Sequence, residues 1–198
     1  MNDRHKKDRN RKDRHNSLGR DNKHADLEAS IRLYDDNDFE KLLEEDPEPL
    51  VLILDCVQDP HNLGACLRTA DAAGCSLVVM TRDKTAPLND TVRRIACGGA
   101  ENLRIARVTN LARAMDKLKD LGIRIIGTAD EATHSLYEQD LSGPIGLVLG
   151  SEGEGMRRLT GDKCDDIARI PLSGKVPCLN LSVATGVCLF EAVRQRQG

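Results

Sequence analysis

The sequence predicts an α/β domain with a mostly parallel sheet flanked by helices, on three observations. From Leu50 onward, short apolar runs rich in branched side chains alternate with amphipathic segments of helical length. The runs follow one another closely, leaving little room for long loops. A hydrophobic content of 39% supplies enough apolar side chains for a packed core.

Residues 1–24 (MNDRHKKDRNRKDRHNSLGRDNKH) hold almost no apolar side chains, so they cannot offset the entropy of ordering. Residues 26–45 offer Leu27, Ile31, Leu33, Leu42 and Leu43 as weak anchors for one or two helical turns, ended by Pro47 and Pro49. The predicted organisation is therefore a charged, largely disordered extension over 1–48 and a folded domain over 49–198. Strands are predicted at 50–55 (LVLILD), 76–80 (SLVVM), 103–108 (LRIARV), 123–128 (IRIIGT), 145–150 (IGLVLG) and 166–172 (DIARIPL). Helices are predicted between and after them at 62–73, 88–97, 109–121, 154–163 and 181–196. In the helix at 109–121, Thr109 or Asn110 serves as cap, Leu111, Met115 and Leu118 share one face, and Gly122 follows.

Composition excludes several classes. Aromatic residues are only 2%, with no Trp, which argues against base recognition on a row of stacked rings. Seven cysteines, at 56, 66, 75, 97, 164, 178 and 188, include no C-x-x-C pair, so neither a metal site nor a disulfide framework is expected. Reduced, mostly buried thiols in a cytoplasmic protein are the expectation. No apolar stretch reaches the ~20 residues of a membrane span, so no membrane partner is expected. The net charge of −3 conceals an asymmetry. Residues 1–24 carry nine Lys/Arg against four Asp, and residues 25–48 two against ten Asp/Glu. The remainder is balanced, and a neutral body with a basic arm is compatible with a polyanionic partner.

Three segments have the make-up for chemistry. In DPHNLGACLRTADAAG (59–74), Pro60 and Asn62 turn the chain into a helix, and Arg68, six residues on, points within about 120° of that end. Its guanidinium suits a phosphate or a ribose edge, although an arginine on an amphipathic helix is also an ordinary solvated residue. LVLGSEGEGM (147–156) runs from a strand into a turn where Gly150, Gly153 and Gly155 permit close backbone approach. It has neither the Lys-Ser/Thr of a P-loop nor the spacing of a dinucleotide fingerprint, and a plain glycine turn explains it equally. IPLSGKVPCLNLSVATG (170–186) ends in Asn180 and Ser182, a helix cap or a polar hold on a ligand loop.

Order and spacing of all three together resemble the signature motifs of the SpoU/TrmH family of RNA 2′-O-methyltransferases, in the SPOUT superfamily. N-x-G-x-x-x-R is present as Asn62, Gly64 and Arg68, and G-x-E-G-x-G as Gly150, Glu152, Gly153 and Gly155. The closing loop runs from Pro171 through Gly174 to Leu179 and Asn180. Intervening stretches such as CGGAENLRIARVTNLARAM and LFEAVRQR are most similar to the RlmB-like group, which methylates guanosine ribose in 23S ribosomal RNA.

The resemblance implies a parallel α/β domain closed by a C-terminal trefoil knot, which no periodicity could reveal and general folding rules disfavour. It implies S-adenosylmethionine as cofactor, held by Gly127, Thr128, Leu149, Gly150, Ile170, Leu172 and Leu179. Asn62, Arg68, Glu152 and Asn180 are then the catalytic set: Arg68 binds a phosphate and aligns the ribose hydroxyl, Asn62 positions substrate and loop, Glu152 fixes Arg68 or the ribose, and Asn180 shapes the cofactor loop. A guanidinium is hard to deprotonate, so a phosphate oxygen or water is the expected proton acceptor. RNA and a second copy of the chain are the implied partners, with Arg68 completing the site of the other subunit and apolar residues of the last helix buried between them. Two departures stand out: Cys178 replaces a usual Ser, and residues 1–48 are too short and charged for the RNA-binding domain that RlmB-like enzymes carry in front. Alternatives are a transfer-RNA ribose methyltransferase and a non-catalytic RNA-binding or ribosome-assembly factor.

Overall fold

A computed structural model describes residues 31–197. Its strands are β1 (Leu33–Tyr34), β2 (Leu50–Leu54), β3 (Leu77–Thr81), β4 (Ile105–Val108), β5 (Arg124–Thr128), β6 (His134–Ser135), β7 (Ile145–Leu149) and β8 (Asp166–Arg169). Its helices are α1 (Phe39–Leu43), α2 (Pro60–Ala72), α3 (Asp90–Ala96), α4 (Gly99–Asn102), α5 (Leu111–Asp120), α6 (Arg158–Gly161) and α7 (Leu181–Gln197). The strands form one sheet in the order β1-β4-β3-β2-β7-β5-β8-β6, and every strand pair is parallel.

Alternation along the strands sorts the core into two halves. Leu50, Leu52 and Leu54 of β2 face the cluster that holds Leu63 and Leu67 of α2, Val92 of α3 and Leu189 of α7. Val51 and Ile53 face the opposite cluster with Phe39 of α1 and Met115 and Leu118 of α5. Helices thus cover both faces, and β2, β3 and β7 are buried along their whole length. Local signals set the helix starts: Asn110 caps α5 as expected, whereas α2 begins at Pro60, ahead of the expected residue 62, with Asp59 as its cap. Asp59 accepts from His61 N at 2.9 Å with Pro60 in the first turn, and Asn110 accepts from Arg113 N at 3.0 Å to cap α5.

Four expectations need correction. The extension expected over 1–48 divides: residues 1–30 lie outside the described residues, whereas residues 31–48 are built onto the domain. Phe39, Leu42 and Leu43 enter the core, and buried Asp36 pairs with Arg113 at 2.9 Å and Lys117 at 3.2 Å. Burial alone would raise the Asp36 carboxyl, but hydrogen bonds and charge from Lys117 and Arg113 bring it below its usual range. The helix expected at 154–163 shrinks to α6, because Gly153 and Gly155 adopt φ of +84° and +67° in a turn closed by a Ser151–Gly155 bridge. The strand expected to reach residue 172 ends at Arg169, before Pro171, which has no N–H for a ladder. The strands β1 and β6 were not expected; each has only two residues and lies at a sheet edge.

The strand order reverses beside β2: β3 and β4 lie to one side, β7 and β5 to the other. Carboxyl ends at such a reversal open a crevice, the usual ligand site of parallel α/β sheets. At the opposite end, Arg196 of α7 donates to the carbonyls of Glu48 at 2.8 Å and Gly143 at 2.5 Å, and Gln195 accepts from Leu141 N at 2.8 Å. The last helix is thereby tied across the starts of β2 and β7.

Candidate functional site

The three singled-out segments meet at Asn180. Its carboxamide nitrogen donates one hydrogen to Asn62 Oδ1 at 3.0 Å and one to Glu152 Oε1 at 2.8 Å. Its oxygen accepts from Ser182 N at 2.9 Å and Ser182 Oγ at 2.6 Å, capping α7. An amide has two donor hydrogens and one acceptor oxygen, and all are engaged here. Asn180 is therefore both a helix cap and the tie between the start of α2 and the glycine turn. Asn62 is buried, whereas Glu152 and Asn180 are exposed at the cavity.

That cavity, of about 600 Å³, lies over the carboxyl ends of β5, β7 and β8. Thr128, Leu149, Gly150, Ile170, Leu172 and Leu179, all expected to hold a cofactor, line it. Gly127 does not: it sits one residue deeper, and a Cβ there would come within 2.6 Å of Met156 Cε and 2.8 Å of Cys164 Sγ. Gly150 is required by the turn itself, because a Cβ would lie 2.0 Å from the Gly155 carbonyl carbon. The volume suits a small organic ligand. Apolar Leu149, Ile170 and Leu179 suit an adenine ring, and the carboxylates Asp130, Glu131, Glu152 and Glu154 suit a ligand that carries positive charge. S-adenosylmethionine has both features, an adenine and a sulfonium, so the residues present fit it.

One anchor of this site escaped the sequence reading. Asp55, wholly buried at the end of β2, accepts from Arg157 N at 3.0 Å and Arg157 Nε at 2.8 Å. Burial by itself would raise the Asp55 carboxyl, but hydrogen bonds from Arg157 and Thr160 hold it below the usual range. Arg157 follows the glycine turn and lines the cavity, so Asp55 pins the end of that turn to the sheet. The available signal was an aspartate closing an otherwise apolar strand, LVLILD.

Arg68 is not part of this cluster. It is exposed on α2, about 9 Å along the axis from Asn62 by helical rise, and makes no side-chain hydrogen bond or ion pair among the described residues. The Glu152 carboxylate is held by Asn180 and not by Arg68. The cysteines are all free, and burial pushes the thiols of Cys75, Cys164 and Cys188 up to about 12 and Cys66 to about 11. Cys178 is exposed and lines the cavity. Among the described residues, no group of His, Cys, Asp and Glu is arranged to hold a metal ion, and no helix is long and apolar enough to cross a membrane.

A parallel sheet with a polar junction and cavity at its carboxyl ends defines an α/β ligand-binding protein. Residues 49–190 match the SpoU rRNA Methylase family, and the chain belongs to that family. It is 57% identical over 162 residues to the 23S rRNA (guanosine-2′-O-)-methyltransferase RlmB of Photobacterium profundum, an alignment covering 82% of this chain and 66% of that protein. An AdoMet-bound rRNA methyltransferase of Sinorhizobium meliloti superposes with a TM-score of 0.72 at 32% identity, covering 82% of this chain and 61% of the other. The TrmH/SpoU tRNA modifying enzyme of A. aeolicus gives a TM-score of 0.69 at 31% identity, covering 82% of both chains. The chain spans about two-thirds of the length of the curated relatives it matches.

Proposed function

We propose that this protein is an S-adenosylmethionine-dependent RNA 2′-O-ribose methyltransferase acting on a guanosine of 23S ribosomal RNA. The observation that carries the proposal is the meeting of Asn62, Glu152 and Asn180 at the mouth of a cavity fitted to that cofactor. Relatives at this level of identity carry the same activity and substrate in their names. When bound, the cofactor supplies an electrophilic methyl group to the ribose oxygen.

The chain's own residues bind and orient. Backbone and apolar groups of Thr128, Leu149, Gly150, Ile170, Leu172 and Leu179 hold the cofactor, with Gly127 beneath them. Asn180 keeps the cofactor loop and the glycine turn in register, Glu152 accepts from donors of the ribose side, and Asn62 fixes the start of α2. Arg68 binds a phosphate next to the target ribose and aligns its hydroxyl, which must shed its proton to a phosphate oxygen or water as the new bond forms.

The same proposal makes the active unit a homodimer. Val183 and Phe190 of α7 are about half exposed, and Gly186 on that helix lies 3.8 Å by its notional Cβ from Thr69, the neighbour of Arg68. A second copy covering α7 therefore passes beside Arg68 and brings it to the partner's cavity. It also includes a C-terminal trefoil knot, for which the support is membership of the family.

Calorimetry with S-adenosylmethionine and methyl transfer to unmodified 23S RNA test the proposal. Arg68→Ala is expected to lose at least a hundredfold in turnover with cofactor affinity kept, as for a group acting on the substrate. Absence of cofactor binding would indicate a non-catalytic RNA-binding factor, and transfer to tRNA alone would move the substrate to that class.

A further inference from the structure

The rim of the sheet at the carboxyl ends of the strands is electrically lopsided. On the β5 side the cavity wall carries Asp130 and Glu131, both exposed. On the other side of β2, the turn after β3 carries Arg82 and Lys84 on either side of Asp83, all three exposed and a net charge of +1, with no side-chain hydrogen bond or ion pair to either cation among the described residues. This turn is firmly built. Thr81 and Thr85 share a hydrogen bond of 2.6 Å, and Arg107 Nη2 donates to the Arg82 carbonyl at 3.2 Å. Lys84 itself has φ of 58°, a conformation glycine adopts freely and lysine only at a cost.

The turn connects physically to the cavity. Ala86 N donates to Val57 O at 2.8 Å, which joins it to the segment after β2. Asp55, at the head of that segment, holds Arg157 at the cavity, and exposed Arg158 follows. Basic side chains thus stand beyond the ends of β3 and β7, two strand spacings apart across β2, with Arg157 paired to Asp55 and with Glu152 and Glu154 ahead of it in the glycine turn. At roughly 4.8 Å per strand this is about 10 Å, close to three nucleotides of a stacked strand at ~3.4 Å each.

We infer that Arg82 and Lys84, on the rigid turn after β3, form with Arg157 and Arg158 a basic track that binds the sugar–phosphate backbone of the substrate RNA. The strand therefore reaches the cavity from the β3 side and avoids the acidic β5 side. The inference rests on the RNA methyltransferase proposal. Point charges on an aromatic-poor rim contact phosphates and supply affinity and direction without reading bases.

The test uses the full chain and an unmodified 23S RNA transcript, with binding measured across a salt series. Arg82→Gln with Lys84→Gln is expected to weaken RNA binding about tenfold at low salt and to reduce the slope of log affinity against log salt by about 1 to 2. Turnover at saturating RNA and cofactor affinity are expected to stay unchanged. Lys84→Gly, which removes the charge and the strain together, is expected to fold at least as stably and to lose about half of that slope. Arg32→Gln with Lys41→Gln removes the same charge at the opposite end of the sheet and is expected to leave the slope unaltered. An unchanged slope in the Arg82/Lys84 variant, or an equal fall in the Arg32/Lys41 variant, would overturn the track. Failure of the unaltered chain to bind cofactor or transfer methyl groups would instead count against the underlying function.

Discussion

At the level of single residues, one buried carboxylate sets the geometry of the cavity mouth. Asp55 is wholly buried, and its hydrogen bonds to Arg157 hold the glycine turn against β2. Replacing it by Asn removes the charge and leaves the cation with a weaker partner. Because the Arg157 side chain is 48% exposed, solvent screens part of the loss, and a destabilisation of about 2 kcal/mol is expected in urea unfolding. The carboxyl is held below its unfolded value in the folded chain, so its contribution is complete above about pH 4 and lost as pH falls through the lower folded value. The stability gap between Asp55→Asn and the unaltered protein is therefore expected to close below pH 4. A gap that persists there would show that shape and not charge is the cause.

At the level of elements, α2 is gripped on the sides away from the sheet. A Cβ on Gly64 would lie 2.8 Å from Ile95 Cβ and 2.8 Å from the Val92 carbonyl oxygen, so this motif glycine serves the close approach of α3 and not a ligand. Gly99, at the start of α4, likewise lies against Arg68 Cα, at 3.2 Å from a notional Cβ. These contacts leave Arg68 little freedom in backbone position, as the phosphate-aligning role proposed for it would require. Gly64→Ala is expected to cost about 2 kcal/mol in unfolding, because the backbone carbonyl of Val92 cannot yield as a side chain would. RNA affinity is expected to fall with it as α2 is displaced, and cofactor affinity, set at the ends of β5 and β7, to be kept. The sequence pattern made α2 itself plain, through Pro60 and Asn62 turning into an amphipathic segment, whereas its Asp59 cap came only from the structure and its grip by α3 and α4 depends on chain segments about 30 residues away.

At the level of the whole molecule, a single copy leaves the proposed site incomplete, with Arg68 outside the junction of Asn62, Glu152 and Asn180. Phe190→Asp, on the exposed face of α7, is expected to give a monomer in sedimentation and to abolish transfer while cofactor binding persists. A monomer with full turnover would remove the need for a second copy. The residues of the chain alone determined the alternation of buried strands and helices, because side-chain period follows from backbone geometry wherever it occurs. They also singled out the three segments that the fold brings together at Asn180. The tertiary structure decided the rest. It built residues 31–48 onto the sheet through Phe39 and Asp36, and it recruited β1 and β6 as two-residue edges too short for any period to register. It joined Asp55 to Arg157 across 102 positions. Such pairings depend on which strand lies beside which, and strand order is a property of the folded sheet that no local pattern encodes.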